Sequence, residues 1–292
     1  MIKSIPDSFQ EFMKKYEPTI LQKEKISKHH TYIREVIKKK FIVVDDFLTG
    51  SYVKQTQIKP PTDVDLFIVI SDFFLSPKRI NSPRKLVSWF RHILRETYSS
   101  STLKLDGQAI VIKFSEGICM DVVPAFKGIK SGYIIPNVRS NTWIRTDPKA
   151  YYNLLSSVNK ALDGKLIPMI KMAKCWNFVW GKALKSLHIE ILTLNCFYDQ
   201  NKNEIFPFEN YQEGLSIFFN KAENLVKEFA FEPIIGDIID QYLPIGKRSM
   251  VSSLFKAHHA RIKRALDYEY SGNHARARQV WKYLFKRYFP AL

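Results

Sequence analysis

The sequence predicts an α+β fold in two lobes. A mixed sheet with flanking helices takes residues 1–152, and a helical lobe takes residues 153–292. Three observations carry this expectation. β-Branched and aromatic runs cluster between about residue 41 and residue 123. Two helical patterns precede them. From about Asn153 onward apolar residues recur at helical spacing, with only short breaks.

In chain order, Pro6 and Asp7 open an amphipathic helix with Phe9, Phe12, Met13 and Tyr16 on one side. A second helix runs from about Thr19 to Lys40, marked by Ile20, Ile26, Ile33 and Ile37. Phe41–Phe47 reads as a strand that ends at Gly50–Ser51, and Asp63–Ile70 reads as a second strand. Gln108–Phe114 and Ile118–Val123 form a hairpin across Ser115, Glu116 and Gly117. Helices follow over 153–163, 165–180, 185–198, 210–228, 248–271 and 274–286, the last two separated by Gly272–Asn273.

Composition narrows the class. With 46% hydrophobic and 14% aromatic residues, the chain can fill a core, which excludes a disordered protein. No apolar run approaches the ~20 residues needed to span a bilayer, and Met1–Lys15 lacks a secretory signal's apolar stretch. Cys119, Cys175 and Cys196 are too scattered for a disulfide framework or a zinc site; small buried residues in a reducing cytoplasm are expected. Net charge is +17 and sits at the ends: residues 247–292 hold 11 Lys+Arg against 2 Asp+Glu, and residues 1–40 hold 10 against 5. Such ends suit a polyanion or simply make a solvated face.

The chemistry-bearing residues lie in the first lobe. Asp63 and Asp65 stand at i and i+2 of a strand and so share a face, while Val64, Leu66, Ile68 and Ile70 point to the other. Two ionised carboxylates side by side are costly without a cation between them; otherwise they are a strand-end pair in solvent. Asp121, inside Ile118–Pro124, is a third charge in an apolar strand. If its strand lies beside the first, three carboxylates converge, the equipment of two-metal phosphoryl transfer. Gly50 permits close backbone approach to a phosphate, and Ser51 can cap the helix that follows. His29–His30 and His258–His259 are adjacent pairs that cannot share a helical face, so no metal is expected there. Trp176, Phe178, Trp180 and Phe197 fit a core, and Trp281, Tyr283, Phe285 and Phe289 fit a role as glue for the last helix.

Gly50–Ser51, Thr56, Asp63-x-Asp65 and Asp121 together resemble the motif of polymerase-β-type nucleotidyltransferases. The segments Thr142–Pro148, Lys171–Trp176, Lys185–Glu190 and Trp281…Phe285…Phe289–Pro290 resemble, in order, those of the bacterial cGAS/DncV-like nucleotidyltransferases (CD-NTases). The resemblance implies a polymerase-β-like lobe, a helical C-terminal lobe and an active-site cleft between them. It implies two Mg²⁺ ions, with Mn²⁺ a possible substitute, on Asp63, Asp65 and Asp121, and β- and γ-phosphates cradled by Gly50 and Ser51. Lys174 and Ser186 match the lysine and serine that grip the triphosphate, with Lys171 one turn earlier. Leu187 stands where some members place the base-stacking aromatic, which leaves Tyr198 or Tyr52 for that role. Gln55 stands where the family often has Gly, and Lys59–Pro60–Pro61 stiffens the approach to the Asp pair.

By the same resemblance, the expected activity is synthesis of a cyclic di- or trinucleotide from NTPs, ATP among them. The product would serve bacterial antiphage signalling (CBASS) as a second messenger, read by an effector not bound to the enzyme. A cytoplasmic monomer with an activating RNA on its basic surface and no membrane partner completes the expectation. Two other readings stand beside it: transfer of one nucleotide to RNA, protein or a small molecule, and an inactive nucleic-acid-binding homologue.

Overall fold

The computed structural model describes residues 4–14, 17–58, 63–72, 80, 82–99 and 101–290. Tyr16 and the Lys59–Thr62 approach, on which the sequence reading touched, lie outside them. The chain divides into two compact units, Pro18–Asn153 and a second that joins Met1–Glu17 to Leu154–Leu292. The first helix, α1 (Ile5–Lys14), therefore leaves the sheet lobe to which residues 1–152 were assigned. Packing explains this. Phe9 is fully buried against Trp281, Phe285 and Phe289, all near the C-terminus.

The sheet unit begins with α2 (Ile20–Lys38), started by a capping box in which Thr19 and Gln22 satisfy each other's backbone N–H. Strand β1 (Val43–Thr49), the single turn α3 (Gly50–Val53) and β2 (Asp63–Ile70) follow, then α4 (Pro83–Thr97). Next come β3 (Thr102–Asp106), β4 (Ala109–Lys113), β5 (Cys119–Lys127), β6 (Tyr133–Asn137) and β7 (Thr142–Thr146). The sheet order is β1-β2-β5-β4-β3, with β6 on β5 and β7 on β6. Among the described strands only β2 and β5 pair in parallel; the expected β4–β5 hairpin is antiparallel. Four of these elements, α4, β3, β6 and β7, were not anticipated.

Alternation along β2 sorts its side chains. Val64, Leu66, Ile68 and Ile70 enter a core with Met120, Val122, α2 and α4. Phe67 and Val69 enter a smaller cluster with Val123, Ala125, Tyr133 and Ile135 on the opposite face. A strand buried on both faces reads as a continuous apolar run, and Asp63 and Asp65 are the exceptions at its start.

The helical unit continues from α5 (Pro148–Ala161), in which the division between the units falls, through α6 (Leu166–Val179) and α7 (Ser186–Phe197). A short hairpin of β8 (Tyr198–Asp199) and β9 (Glu204–Ile205) leads to α8 (Tyr211–Leu225), α9 (Ile245–Tyr270) and α10 (His274–Phe285). Gly272 takes the left-handed φ of +73° between the last two helices, and the Asn273 side chain then caps α10. No helix among the described residues is long and apolar enough to cross a membrane.

Candidate active site

The site is set by strand register. In the parallel β2–β5 pair Asp65 stands opposite Asp121, and Asp63 stands opposite Cys119. Paired residues of neighbouring strands project to one side, so Asp63, Asp65 and Asp121 share a sheet face. Their electrostatics agree. Burial pushes the Asp121 carboxyl up to about 7, and the charges of Asp65 and Asp63 push it the same way. Burial also raises Asp65, opposed by Lys54 and aided by Asp63. These groups lose hydration and repel one another at the start of strands whose remaining residues are anchored in apolar clusters.

Gly50 completes this corner. It follows β1, which pairs with β2 so that Thr49 faces Asp65. Its φ is +73°, and a side chain there would coincide with the Asp65 carboxylate. Glycine is thus required twice, for its backbone angle and for space. Ser51, half-buried, lies inside α3 and so does not cap it; Thr49 is the N-cap, and the Ser51 carbonyl accepts the Thr56 N–H at 2.9 Å. Sequence reading overlooked Lys54. Its charge acts on Asp65, and its ammonium lies 4.8 Å from the centre of the Tyr151 ring. The available signal was spacing, since Lys54 lies one turn beyond Gly50.

The donor set is all carboxylate oxygen, which suits a hard divalent cation. Among the described residues no three His, Cys, Asp or Glu side chains enclose an ion by themselves.

Lys174 donates to Glu190 Oε2 at 2.6 Å, and both are buried in α6 and α7. Ser186 is exposed as the first residue of α7. Lys171 is buried one turn before Lys174, and burial lowers its pKa. Leu187 is exposed. Tyr198 donates to Asn203 Oδ1 at 3.0 Å, and Tyr52 is half-buried in the sheet unit.

Cys119 is half-buried beside Asp63, unlike the buried Cys175 and Cys196; all three are free. Phe178 and Trp180 are half-buried, unlike the fully buried Trp176 and Phe197, whereas Tyr283 packs on Trp180 and His258 and so ties the last helix to the helical unit. The histidines find protein partners: His29 stacks on Phe114 and meets Glu116 at 2.7 Å, and His30 meets Asp46 at 2.6 Å.

The model of the Second Messenger Oligonucleotide or Dinucleotide Synthetase (SMODS) domain matches residues 4–159, more than half of the chain and all of the carboxylate site. The chain belongs to the SMODS family. Two relatives agree with that membership. A cyclic AMP-AMP-AMP synthase of Acinetobacter sp. (strain ATCC 27244 / 9458) is 25% identical over 236 residues, covering 74% of this chain and 67% of the relative. A probable cyclic nucleotide synthase of Bacillus cereus (strain VD146) is 27% identical over 278 residues, covering 83% and 81%. The fold matches that of E. coli MS115-1 CdnC in its complex with HORMA-deltaN, at 14% identity and a TM-score of 0.77 over 98% of both chains. The structure of CdnC with ATP gives 0.75 at 15% identity, over 98% of this chain and 99% of that one. The SMODS chain described here therefore has the mixed-sheet fold with a helical C-terminal part that its sequence resemblance implied.

Proposed function

We propose that this protein is a Mg²⁺-dependent nucleotidyltransferase that joins NTPs, ATP among them, into a cyclic di- or trinucleotide. In this reading the product is a second messenger of bacterial antiphage defence, made in the cytoplasm. One observation carries the catalytic part: the parallel register that sets Asp65 opposite Asp121, with Asp63 on the same face. Family membership and the cyclic AMP-AMP-AMP synthase relative support the product class and its adenine content.

The reaction is in-line attack of a ribose hydroxyl on an α-phosphorus, with pyrophosphate leaving. Asp63, Asp65 and Asp121 would hold the two Mg²⁺ ions. When bound, the metal would neutralise charge developing on the phosphates. Asp121 also helps to activate the attacking hydroxyl. Gly50, lacking a side chain, lets the backbone approach the β- and γ-phosphates, with Ser51 beside it. We assign Lys174 and Ser186 to the triphosphate; Glu190 fixes the Lys174 ammonium and so lowers the entropy of positioning it. Most of the rate enhancement then comes from positioning and from charge neutralisation.

The test is Asp63→Ala with Asp65→Ala, assayed with all four NTPs, and the products read by mass spectrometry. The wild type should give a phosphatase-resistant cyclic oligonucleotide containing adenine, and only with Mg²⁺ or Mn²⁺. The double variant should give none while its circular dichroism is unchanged. Product from the double variant would remove the site assignment. Product that forms only after RNA, a protein or a small acceptor is added would replace cyclisation by single-nucleotide transfer.

A further inference from the structure

We propose that Tyr242, backed by His188, is the positioning residue that holds Ser186 where it meets the triphosphate. This rests on Ser186 gripping the triphosphate, and it adds the parts that keep Ser186 in place.

Ser186 opens α7 and does not anchor itself. It is exposed, and Lys185, the N-cap residue before it, makes no side-chain cap hydrogen bond. The first N–H groups of a helix have no intrahelical acceptor, and a start without a cap is less stable. The missing cap comes from a distant segment. The Tyr242 hydroxyl oxygen accepts the Lys185 N–H at 2.7 Å, and the same hydroxyl meets His188 Nδ1 at 2.9 Å. The arrangement that uses every group has this hydroxyl accept from Lys185 and donate to a bare Nδ1. His188 is buried, and burial keeps its ring neutral with a pKa of about 4. One hydroxyl thus ties two points of the first turn of α7, with Ser186 between them. Phenylalanine would fill the same space beside the Lys185 ammonium, which lies 4.4 Å from the ring centre. The hydroxyl is what reaches the helix.

Tyr242 is itself held. Arg248, buried in the first turn of α9, pairs with buried Asp240 at 2.7 Å. It also donates to the carbonyls of Leu243 at 3.1 Å and Glu228 at 2.6 Å. Asp240 accepts the Ala230 N–H at 2.9 Å. A buried ion pair is weak evidence for stability; what such a pair can fix is a single conformation. Here that is the conformation of residues 240–243, which carry Tyr242. On the other side, Asn177 of α6 donates to the Leu184 carbonyl at 2.7 Å and accepts the Leu184 N–H at 3.1 Å. Lys174 lies one turn earlier on α6. The two residues assigned to the triphosphate therefore stand on one α6–α7 frame, and Tyr242 ties down the end of α7 that carries Ser186.

The experiment is steady-state pyrophosphate release by the full chain across an ATP series, with a melting curve for each variant. Tyr242→Phe should raise the KM for ATP about tenfold, as for one weakened hydrogen bond to a charged group. Its kcat should stay within about twofold, because a grip on the triphosphate serves ground state and transition state alike. Ser186→Ala sets the reference and should raise KM to a similar extent. The Tyr242→Phe/Ser186→Ala double variant should exceed the larger single effect by no more than about twofold, since both changes act through one contact. His188→Asn, which keeps an acceptor near the position of Nδ1, should raise KM less than His188→Leu. That pair decides the matter even if Tyr242→Phe folds poorly. An unchanged KM in Tyr242→Phe, with KM raised in Ser186→Ala, overturns the proposal and leaves the role of Ser186 intact. An unchanged KM in Ser186→Ala removes that role, and the proposal falls with it. Single effects that multiply in the double variant, or equal KM values for His188→Asn and His188→Leu, also overturn it, leaving Tyr242 a structural cap.

Discussion

Gly50 and Asp65 constrain each other. Alanine at position 50 keeps a left-handed φ at a cost of about 1–2 kcal/mol and drives its methyl group into the Asp65 carboxylate. We expect Gly50→Ala to lower nucleotidyl transfer about a hundredfold, as an ångström-scale displacement of a catalytic group does. Pyrophosphate release measures this, with a melting curve to show that the loss exceeds any loss of fold. Wild-type turnover in the variant would separate Gly50 from the site. At this scale much was readable in the sequence. The i, i+2 spacing of Asp63 and Asp65 and a third carboxylate in an apolar strand are patterns that charge burial makes conspicuous. Lys54 was not readable, because a lysine four residues after a glycine is common and only the packed turn brings its charge to Asp65.

Among the elements, α6 and α9 meet through a hydrogen bond that pH controls. Trp176 donates its indole N–H to His258 Nδ1 at 2.8 Å, so that nitrogen must carry no proton. Burial, then Arg261 and Lys286, push His258 from 6.5 down to about 4. A lowered pKa in the folded state means that the unfolded chain binds the proton more readily. The stability that neutral His258 contributes is therefore full above about 6.5 and is lost as pH falls through about 4. Urea denaturation between pH 7 and pH 4 should show this decline, and His258→Gln should make it shallower. A residual slope is expected from His188, which is also held near 4, chiefly by burial, and meets the Tyr242 hydroxyl at 2.9 Å. An unaltered slope in His258→Gln would refute the link. The helices of this unit were legible because their apolar periodicity is long. α4 carried a usable signal in Leu86, Val87, Phe90 and Leu94 after Ser82–Pro83. β6 and β7 carried little, since Pro136 and the polar residues around Ser140 break any period of two.

For the molecule as a whole, the consequential placement is that of α1. Phe9 and Phe12 are fully buried among Trp281, Phe285, Tyr288 and Phe289, and Arg278 donates to Ser8 Oγ at 2.8 Å. Phe9→Ala should cost about 3–5 kcal/mol. Hydrogen exchange should speed up in α1 and α10 while β2 and β5 keep their protection. Equal loss of protection in both units would contradict the division. The sequence alone determined the composition of two kinds of lobe, the amphipathic face of α1 and the three acidic residues. These are local quantities, set by spacing along the chain and by what each side chain costs to bury. Only the tertiary structure decided that β2 and β5 run in parallel with Asp65 opposite Asp121, and that α1 closes on the far end of the chain. Strand register and helix docking are chosen by apolar surfaces hundreds or scores of residues apart, and no window of sequence contains both partners.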